Sequence, residues 1–203
     1  IYSKFIIVDL VFSEAEKEER DENKVARLLK RSSVEFTSQY KIQDKLIDFH
    51  IATKWGRVFL EVDEKQHRGY SMPAEVKRML LLRSWASDQN GTTLLIRFNT
   101  GKFKVNGRPM FASWASRADV LVKLLQKCET HKPINQFNII YLYFDLDEHE
   151  NPCILKDPHV PAVIRRCIMT HKLSDYTITT GVTTPTEKSN HAKDMNLARR
   201  RLK

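Results

Sequence analysis

Acidic side chains gather in two short polar segments near the middle of the chain, residues 47–50 (IDFH) and 59–70 (FLEVDEKQHRGY). Because side chains alternate across a β-strand, Glu61, Asp63 and Lys65 would share one face of the second segment. Carboxylates beside an amine are the groups that bind a divalent cation and prepare a water molecule for attack. The second segment is therefore a candidate site for hydrolytic chemistry.

Asp48, in the first segment, adds a third carboxylate. A hairpin turn at residues 54–56 would bring Asp48 across to the level of Glu61 and Asp63. Like charges on adjacent strands repel, so a sequence that brings three carboxylates together normally has a cation between them. We predict Mg²⁺, or Mn²⁺, as the cofactor, because both are hard ions that prefer oxygen ligands. The predicted metal ligands are Asp48, Glu61 and Asp63.

Three more polar side chains follow within one turn of chain: Lys65, Gln66 and His67. A carboxylate-bound divalent ion polarises a phosphoryl oxygen and lowers the pKa of bound water, while a neighbouring Lys, Gln or His orients or deprotonates that water. The predicted reaction is hydrolysis of a phosphodiester bond. The predicted catalytic set is Asp48, Glu61, Asp63, Lys65, Gln66 and His67. The simpler alternative is a polar strand end without chemistry.

The net charge favours a polyanionic partner. The chain has 34 Lys+Arg against 25 Asp+Glu, a formal charge of +9 and a pI near 9.5, which is typical of proteins that bind nucleic acid. Arg97, at a strand end, has two interpretations: it contacts a phosphate, or it pairs with a carboxylate such as Glu75. The predicted nucleic-acid-binding residues are Arg78, Arg97, Lys102, Lys104 and Arg108.

No apolar run approaches the roughly 18 residues that a membrane span requires. The first residues, IYSKFIIVDLVF, include Lys4 and Asp9 and do not predict a secretory signal. The three cysteines, Cys128, Cys153 and Cys167, are an odd number and argue against a disulfide framework. We therefore expect no membrane partner and an intracellular location, in the nucleus or cytoplasm. Histidines near these cysteines give only a weak signal for zinc.

Hydrophobic periodicity predicts the elements that would position these residues. The predicted helices are 13–31, 73–87 and 112–128, and the predicted strands are 34–40, 46–52, 57–63, 92–98 and 137–144. This order implies an α/β domain, residues 1–175 with a core of about 13–145, in which helices flank a mixed sheet. Residues 160–169 are a candidate for one further helix. Residues 176–203 are weakly hydrophobic and basic, and we predict a flexible tail there.

The site residues resemble a known superfamily, the PD-(D/E)xK or restriction-endonuclease-like nucleases. They are most similar to the branch that includes very-short-patch repair endonucleases and proteins of algae, oomycetes and large DNA viruses with an EVDExQH pattern. The resemblance covers about residues 14–125. It implies an αβββαβ core, metal-dependent DNA cleavage, and Asp48 with Glu61 as the metal-binding pair. The matching residues are Asp48, Glu61, Val62, Asp63, Glu64, Gln66, His67, Tyr70, Glu75, Arg78, Arg97, Phe98 and Asn99.

The resemblance leaves the register of the motif open. The superfamily's lysine stands two residues after the second acid, a position taken by Asp63 if that acid is Glu61 and by Lys65 if it is Asp63. The branch pattern favours Glu61, with Gln66 or His67 assisting. Some relatives add an acid from the helix before the first strand. The candidates here are Glu14, Glu16 and Glu19.

The predicted function is that of a Mg²⁺-dependent endonuclease acting on nucleic acid, with DNA favoured over RNA. One alternative is a catalytically inactive nucleic-acid-binding module with the same fold. Another is a partner-dependent domain of a larger viral or transposon-type nucleoprotein assembly. A homodimer is a further candidate partner state. Because the sequence starts with Ile1 and not Met, an excised piece of a longer protein is also expected.

Overall fold

A computed structural model describes residues 20–64 and 71–170 and the short strand Val182–Thr183. The elements in chain order are α1 (Asp21–Arg31), β1 (Thr37–Ile42), β2 (Lys45–Thr53), β3 (Gly56–Asp63), α2 (Met72–Ser87), β4 (Thr92–Asn99), β5 (Phe103–Val105), β6 (Arg108–Ala112), α3 (Trp114–Thr130), β7 (Phe137–Leu142), a 3-10 helix (Cys153–Lys156), α4 (Ala162–Arg165) and β8 (Val182–Thr183).

A five-stranded mixed sheet forms the centre, in the order β1-β2-β3-β4-β7. The first three strands form an antiparallel meander, and β3, β4 and β7 run parallel to one another. Every residue of β4 is buried, as expected for a strand with a parallel neighbour on each side and helices over both faces. The predicted α/β class with a mixed, helix-flanked sheet is confirmed.

Two apolar layers pack on the sheet. Val25 and Leu29 of α1 join Leu121 and Leu125 of α3 in one buried cluster. The other cluster contains α2 residues such as Met79, together with residues of α4 and β7. The sheet is thus covered on both faces, with α1 and α3 in one layer and α2 and α4 in the other.

The β2–β3 turn fixes the register on which the site depends. Gly56 has a φ of +147°, and a Cβ there would lie 2.1 Å from the carbonyl oxygen of Thr92, so only glycine fits. Gly56 pairs with Thr92 at the start of the parallel ladder, and the same ladder pairs Glu61 with Arg97. The close contact between Gly56 and Thr92 therefore fixes the alignment that places Glu61 beside Arg97, five residues later on each strand.

Three features differ from the sequence-based elements. The hairpin of β5 and β6 was not predicted; its turn residues Asn106 and Gly107 both have positive φ, +48° and +72°. In the range 160–169 only Ala162–Arg165 is α-helical. The predicted tail, 176–203, lies outside the described residues except for β8, which pairs with β6.

Other predicted boundaries agree closely with the structure. The predicted helix 13–31 ends at Arg31 as expected, but its predicted start is wrong: the helix begins at Asp21, because Arg20 is a non-helical N-cap with a ψ of 138°. No helix among the described residues combines the length and apolar character that crossing a bilayer requires.

Candidate active site

Asp48 of β2 and Glu61 of β3 lie side by side on neighbouring strands. The antiparallel register pairs Phe49 with Leu60, so the next position along each strand brings Asp48 opposite Glu61. Oδ2 of Asp48 accepts a hydrogen bond of 2.8 Å from the backbone N–H of Val62. This bond holds the Asp48 carboxylate against β3.

Asp48 and Glu61 line a cleft of about 550 Å³. Strands β2 and β3 form one wall, α2 forms another, and the first turn of α1 and the preceding residue complete the lining. Acidic residues outnumber basic ones, as expected for a site that receives a cation. The lining residues are Arg20, Glu22, Lys45, Asp48, Glu61, Val62, Glu64, Ala74, Glu75 and Arg78.

The Asp48 carboxyl is electrostatically crowded. Burial raises its pKa to about 6 from the usual 3.8, and the Val62 N–H opposes that rise. The nearby charges of Glu61 and, more weakly, Glu22 raise the pKa further. A cation bound beside Asp48 would favour its ionised form and oppose this rise in pKa.

Glu61 is held by an arginine of α2. The Glu61 side chain is 4% exposed, and its Oε1 accepts hydrogen bonds from Nε and Nη2 of Arg78 at 3.2 and 2.5 Å. Arg78 also donates to the carbonyl oxygen of Leu46 at 2.7 Å. Arg78 thus bridges α2 to the sheet at the cleft wall and partly neutralises Glu61.

Asp63 lies below this cleft and not in its lining. Asp63 is fully buried, and its two oxygens accept hydrogen bonds from Nε and Nη2 of Arg97 at 2.6 and 2.8 Å. Nη1 of Arg97 donates to Glu75 at 2.9 Å. The structure therefore separates Asp63 from the pair formed by Asp48 and Glu61. Arg97 was predicted either to contact a phosphate or to pair with a carboxylate; in the structure it pairs with the carboxylates of Asp63 and Glu75.

Phe98 and Asn99, the matching residues that follow Arg97 on β4, also have packing roles. Phe98 is fully buried in the core. Asn99, likewise fully buried, donates from Nδ2 to the carbonyl oxygen of Tyr143 at 2.6 Å, and its Oδ1 accepts from the N–H of Gly101. Asn99 thereby fixes the end of β4 to the chain that follows β7.

The predicted basic residues divide into three places. Arg78 lines the cleft, and Arg97 is 3% exposed beneath it. Lys102, Lys104 and Arg108 are exposed on or next to the β5–β6 hairpin. The hairpin is anchored to the chain after β7, because the N–H of Lys104 donates to Asp145 at 2.8 Å.

Several candidates lie outside the described residues: Glu14, Glu16, Glu19, Lys65, Gln66, His67 and Tyr70. Glu22, which is not among the predicted site residues, lines the cleft. The position of Glu22 relative to the apolar residues of α1 could have identified it. Glu22 precedes the buried Val25 and Leu29 by three and seven residues, so it lies on the core-facing side of α1.

Few side chains in the described part of the chain could bind a metal ion. Within residues 20–64 and 71–170, no cluster of three or more His, Cys, Asp or Glu side chains has a geometry suited to a metal ion. Of the five acidic residues in the cleft lining, Asp48 and Glu61 lie side by side on neighbouring strands. Two carboxylates fit Mg²⁺, which keeps several waters and is commonly bound through one or two carboxylates plus substrate phosphates.

Comparison of the chain with protein families, curated proteins and solved structures finds no match.

Proposed function

We propose that this chain is a metal-dependent endonuclease that hydrolyses phosphodiester bonds in nucleic acid, DNA in preference to RNA. The observation that carries the proposal is the meeting of Asp48 and Glu61 in one cleft, with the pKa of Asp48 raised to about 6 by burial and by neighbouring carboxylates. A perturbed carboxyl beside a second acid in a cleft is typical of a functional site.

The order of elements supports the same interpretation. The sequence α1-β1-β2-β3-α2-β4 corresponds to the αβββαβ core that the resemblance implies. The two cleft acids lie on its second and third strands, as in the PD-(D/E)xK pattern. The choice of DNA over RNA rests on that family analogy.

Asp48 and Glu61 would hold Mg²⁺ or Mn²⁺ through oxygen atoms. Such an ion, when bound, polarises a phosphoryl oxygen and lowers the pKa of its water. The Val62 N–H orients the carboxylate of Asp48, and the carboxylate of Glu61 is shared with Arg78. Lys65, Gln66 and His67 remain candidates for placing or deprotonating the attacking water. The exposed basic residues on and next to the β5–β6 hairpin would contact the phosphate backbone.

A specific observation favours a second candidate, a nucleic-acid-binding module without catalysis. Glu61 and Asp63 are each bound to an arginine, Arg78 and Arg97 respectively. An arginine that neutralises a carboxylate opposes metal binding there. If both pairs persist when substrate binds, the protein would bind nucleic acid through its exposed basic residues without hydrolysing it.

Cleavage of labelled DNA and RNA, each duplex and single-stranded, with Mg²⁺ or Mn²⁺ against EDTA, separates these candidates. Asp48→Asn and Glu61→Gln should reduce cleavage to background while the protein stays folded by circular dichroism. Glu35→Gln, which removes an exposed acid outside the cleft, should cleave as the parent does. Binding by the parent protein with no cleavage under either metal would reject the endonuclease and support the binding module.

A further inference from the structure

A second pocket, of about 240 Å³, lies beside the edge strand β7, at the end of α2 that is away from the candidate active site. It is formed by the last turns of α2, the start of β7 and the α4 region. Phe137 in its lining pairs with Thr93, four residues before Arg97 on β4. At about 3.3 Å per residue, roughly 13 Å of strand separates the two levels of the sheet.

The lining of this pocket is basic and amide-rich. It has two guanidinium groups, and no carboxylate of the described part of the chain lines it. The active-site cleft differs, because five acidic residues there face three basic ones. The lining residues of the second pocket are Arg83, Ser87, Asn135, Gln136, Phe137, Val163, Arg166 and Cys167.

Arg83 and Arg166 supply the positive charge of this pocket. Among the described residues, no carboxylate forms an ion pair with Arg83 or Arg166. The neighbouring Arg165 differs, because its guanidinium donates to the carbonyl oxygens of Val160 and Asp157. Two like charges that share a pocket favour an anion between them.

The side chain of Gln136 reduces the opposing partial charge at the C-terminal end of α2. The side-chain amide of Gln136 donates to the carbonyl oxygens of Ala86 and Ser87 at 3.4 and 3.3 Å. These contacts partly satisfy the carbonyl groups that carry the partial negative charge of a helix C-terminus. Asn135, which is exposed, contributes a further amide to the pocket.

We propose that this pocket binds a phosphate group together with its sugar, either as a free nucleotide or within a nucleic-acid strand. The planar forks of Arg83 and Arg166 match the oxygen atoms of a phosphate. Phe137 and Val163 supply an apolar wall for the attached sugar. The volume is slightly below the roughly 300–1,000 Å³ of drug-sized ligand sites, which suits one sugar phosphate. This inference does not depend on catalysis in the first cleft.

The test is a titration of the full chain, in EDTA, with inorganic phosphate, a deoxynucleoside monophosphate and a short single-stranded oligonucleotide. Affinity is measured by calorimetry, and the Nε–H signals of the arginines are followed by NMR. Arg83→Gln and Arg166→Gln should each weaken monophosphate binding about tenfold, the effect of losing one charged hydrogen-bonding partner. Arg31→Gln, the matched loss of an exposed arginine on α1, should bind as the parent does.

The two sources of phosphate give different results. Binding of the oligonucleotide that both substitutions weaken supports a strand as the ligand, and binding of the monophosphate alone supports a free nucleotide. The proposal is overturned if the Arg83 and Arg166 signals do not move, or if both variants bind like Arg31→Gln. Because metal is absent, a failure here is independent of the cleavage assay.

Discussion

The guanidinium of Arg97 binds both carboxylate oxygens of Asp63, with Nε to Oδ2 at 2.6 Å and Nη2 to Oδ1 at 2.8 Å. The two residues lie on adjacent parallel strands, and Arg97 also reaches Glu75 on α2. Burial alone would lower the pKa of Arg97, but the charge of Asp63 raises it well above its usual value. Three elements are thus joined by one fully charged contact beneath the cleft.

Arg97→Gln should strongly destabilise the protein. It leaves Asp63, which is fully buried, without its charged partner, and breaking a buried ion pair from one side costs about 3–5 kcal/mol. Urea denaturation at pH 7 measures the loss in the free energy of unfolding. Asp63→Asn combined with Arg97→Gln removes the uncompensated charge and should recover part of that loss. Unchanged stability in Arg97→Gln alone would reject the structural role of this pair.

Local pattern predicted most of the fold and the central part of the site. Alternation along β3 and a hairpin at residues 54–56 were enough to bring Asp48 to Glu61. The same alternation also grouped Asp63 with them, because one strand's pattern does not reveal a partner on another strand. Arg97 lies on β4, the parallel neighbour of β3, and β4 follows α2 in sequence. The sequence around β3 does not reveal how β3 and β4 are aligned. The long-range ladder therefore decides which acids reach the cleft.

The β5–β6 hairpin was missed for a different reason. Its Asn106-Gly107 turn is a strong hairpin signal, but the flanking strands are only three and five residues long. β6 also contains Pro109, which weakens a strand prediction. The turn chemistry was the better guide here, because such short strands carry little hydrophobic periodicity.

Asp48 should make the protein less stable as the pH rises. Below pH 3.8 the carboxyl is protonated in both the folded and the unfolded state and contributes nothing. Between pH 3.8 and about 6 the folded state retains the proton that the unfolded state loses, so the free energy of unfolding falls. Above pH 6 the full cost, about 3 kcal/mol for this shift, is present.

Asp48→Asn should remove this dependence, because the amide oxygen still accepts from the Val62 N–H and carries no charge. The variant should be more stable than the parent at pH 7.5 and equally stable near pH 3.5, as measured by urea denaturation across that range. Glu35→Gln, at an exposed position, is the control and should follow the parent. Parallel curves for Asp48→Asn and the parent would show that Asp48 titrates normally.

Arg78 should compete with a metal ion for Glu61. Its Nη2 lies 2.5 Å from Oε1 of Glu61, so a cation bound there must share or displace the guanidinium. We expect Arg78→Gln to bind Mn²⁺ more tightly than the parent protein, and Glu61→Gln to bind it more weakly. Calorimetry and the electron paramagnetic resonance signal of free Mn²⁺ measure both. Weaker Mn²⁺ binding in Arg78→Gln would mean that the arginine orients Glu61 for the metal and does not compete with it.

The β5–β6 hairpin should contribute salt-dependent binding of nucleic acid without taking part in hydrolysis. Lys104 and Arg108 are exposed on its two strands, and each phosphate contact on duplex DNA adds about 0.9 to the slope of log K against log salt. The double variant Lys104→Gln/Arg108→Gln should therefore reduce that slope by about 1.8 in fluorescence anisotropy titrations. Lys30→Gln/Arg31→Gln removes the same charge from the end of α1 and should change the slope less.

If cleavage occurs, its rate at saturating DNA should be equal in all three proteins, since the hairpin residues do not line the cleft. An unchanged slope in the hairpin variant would move the phosphate-binding surface elsewhere on the protein.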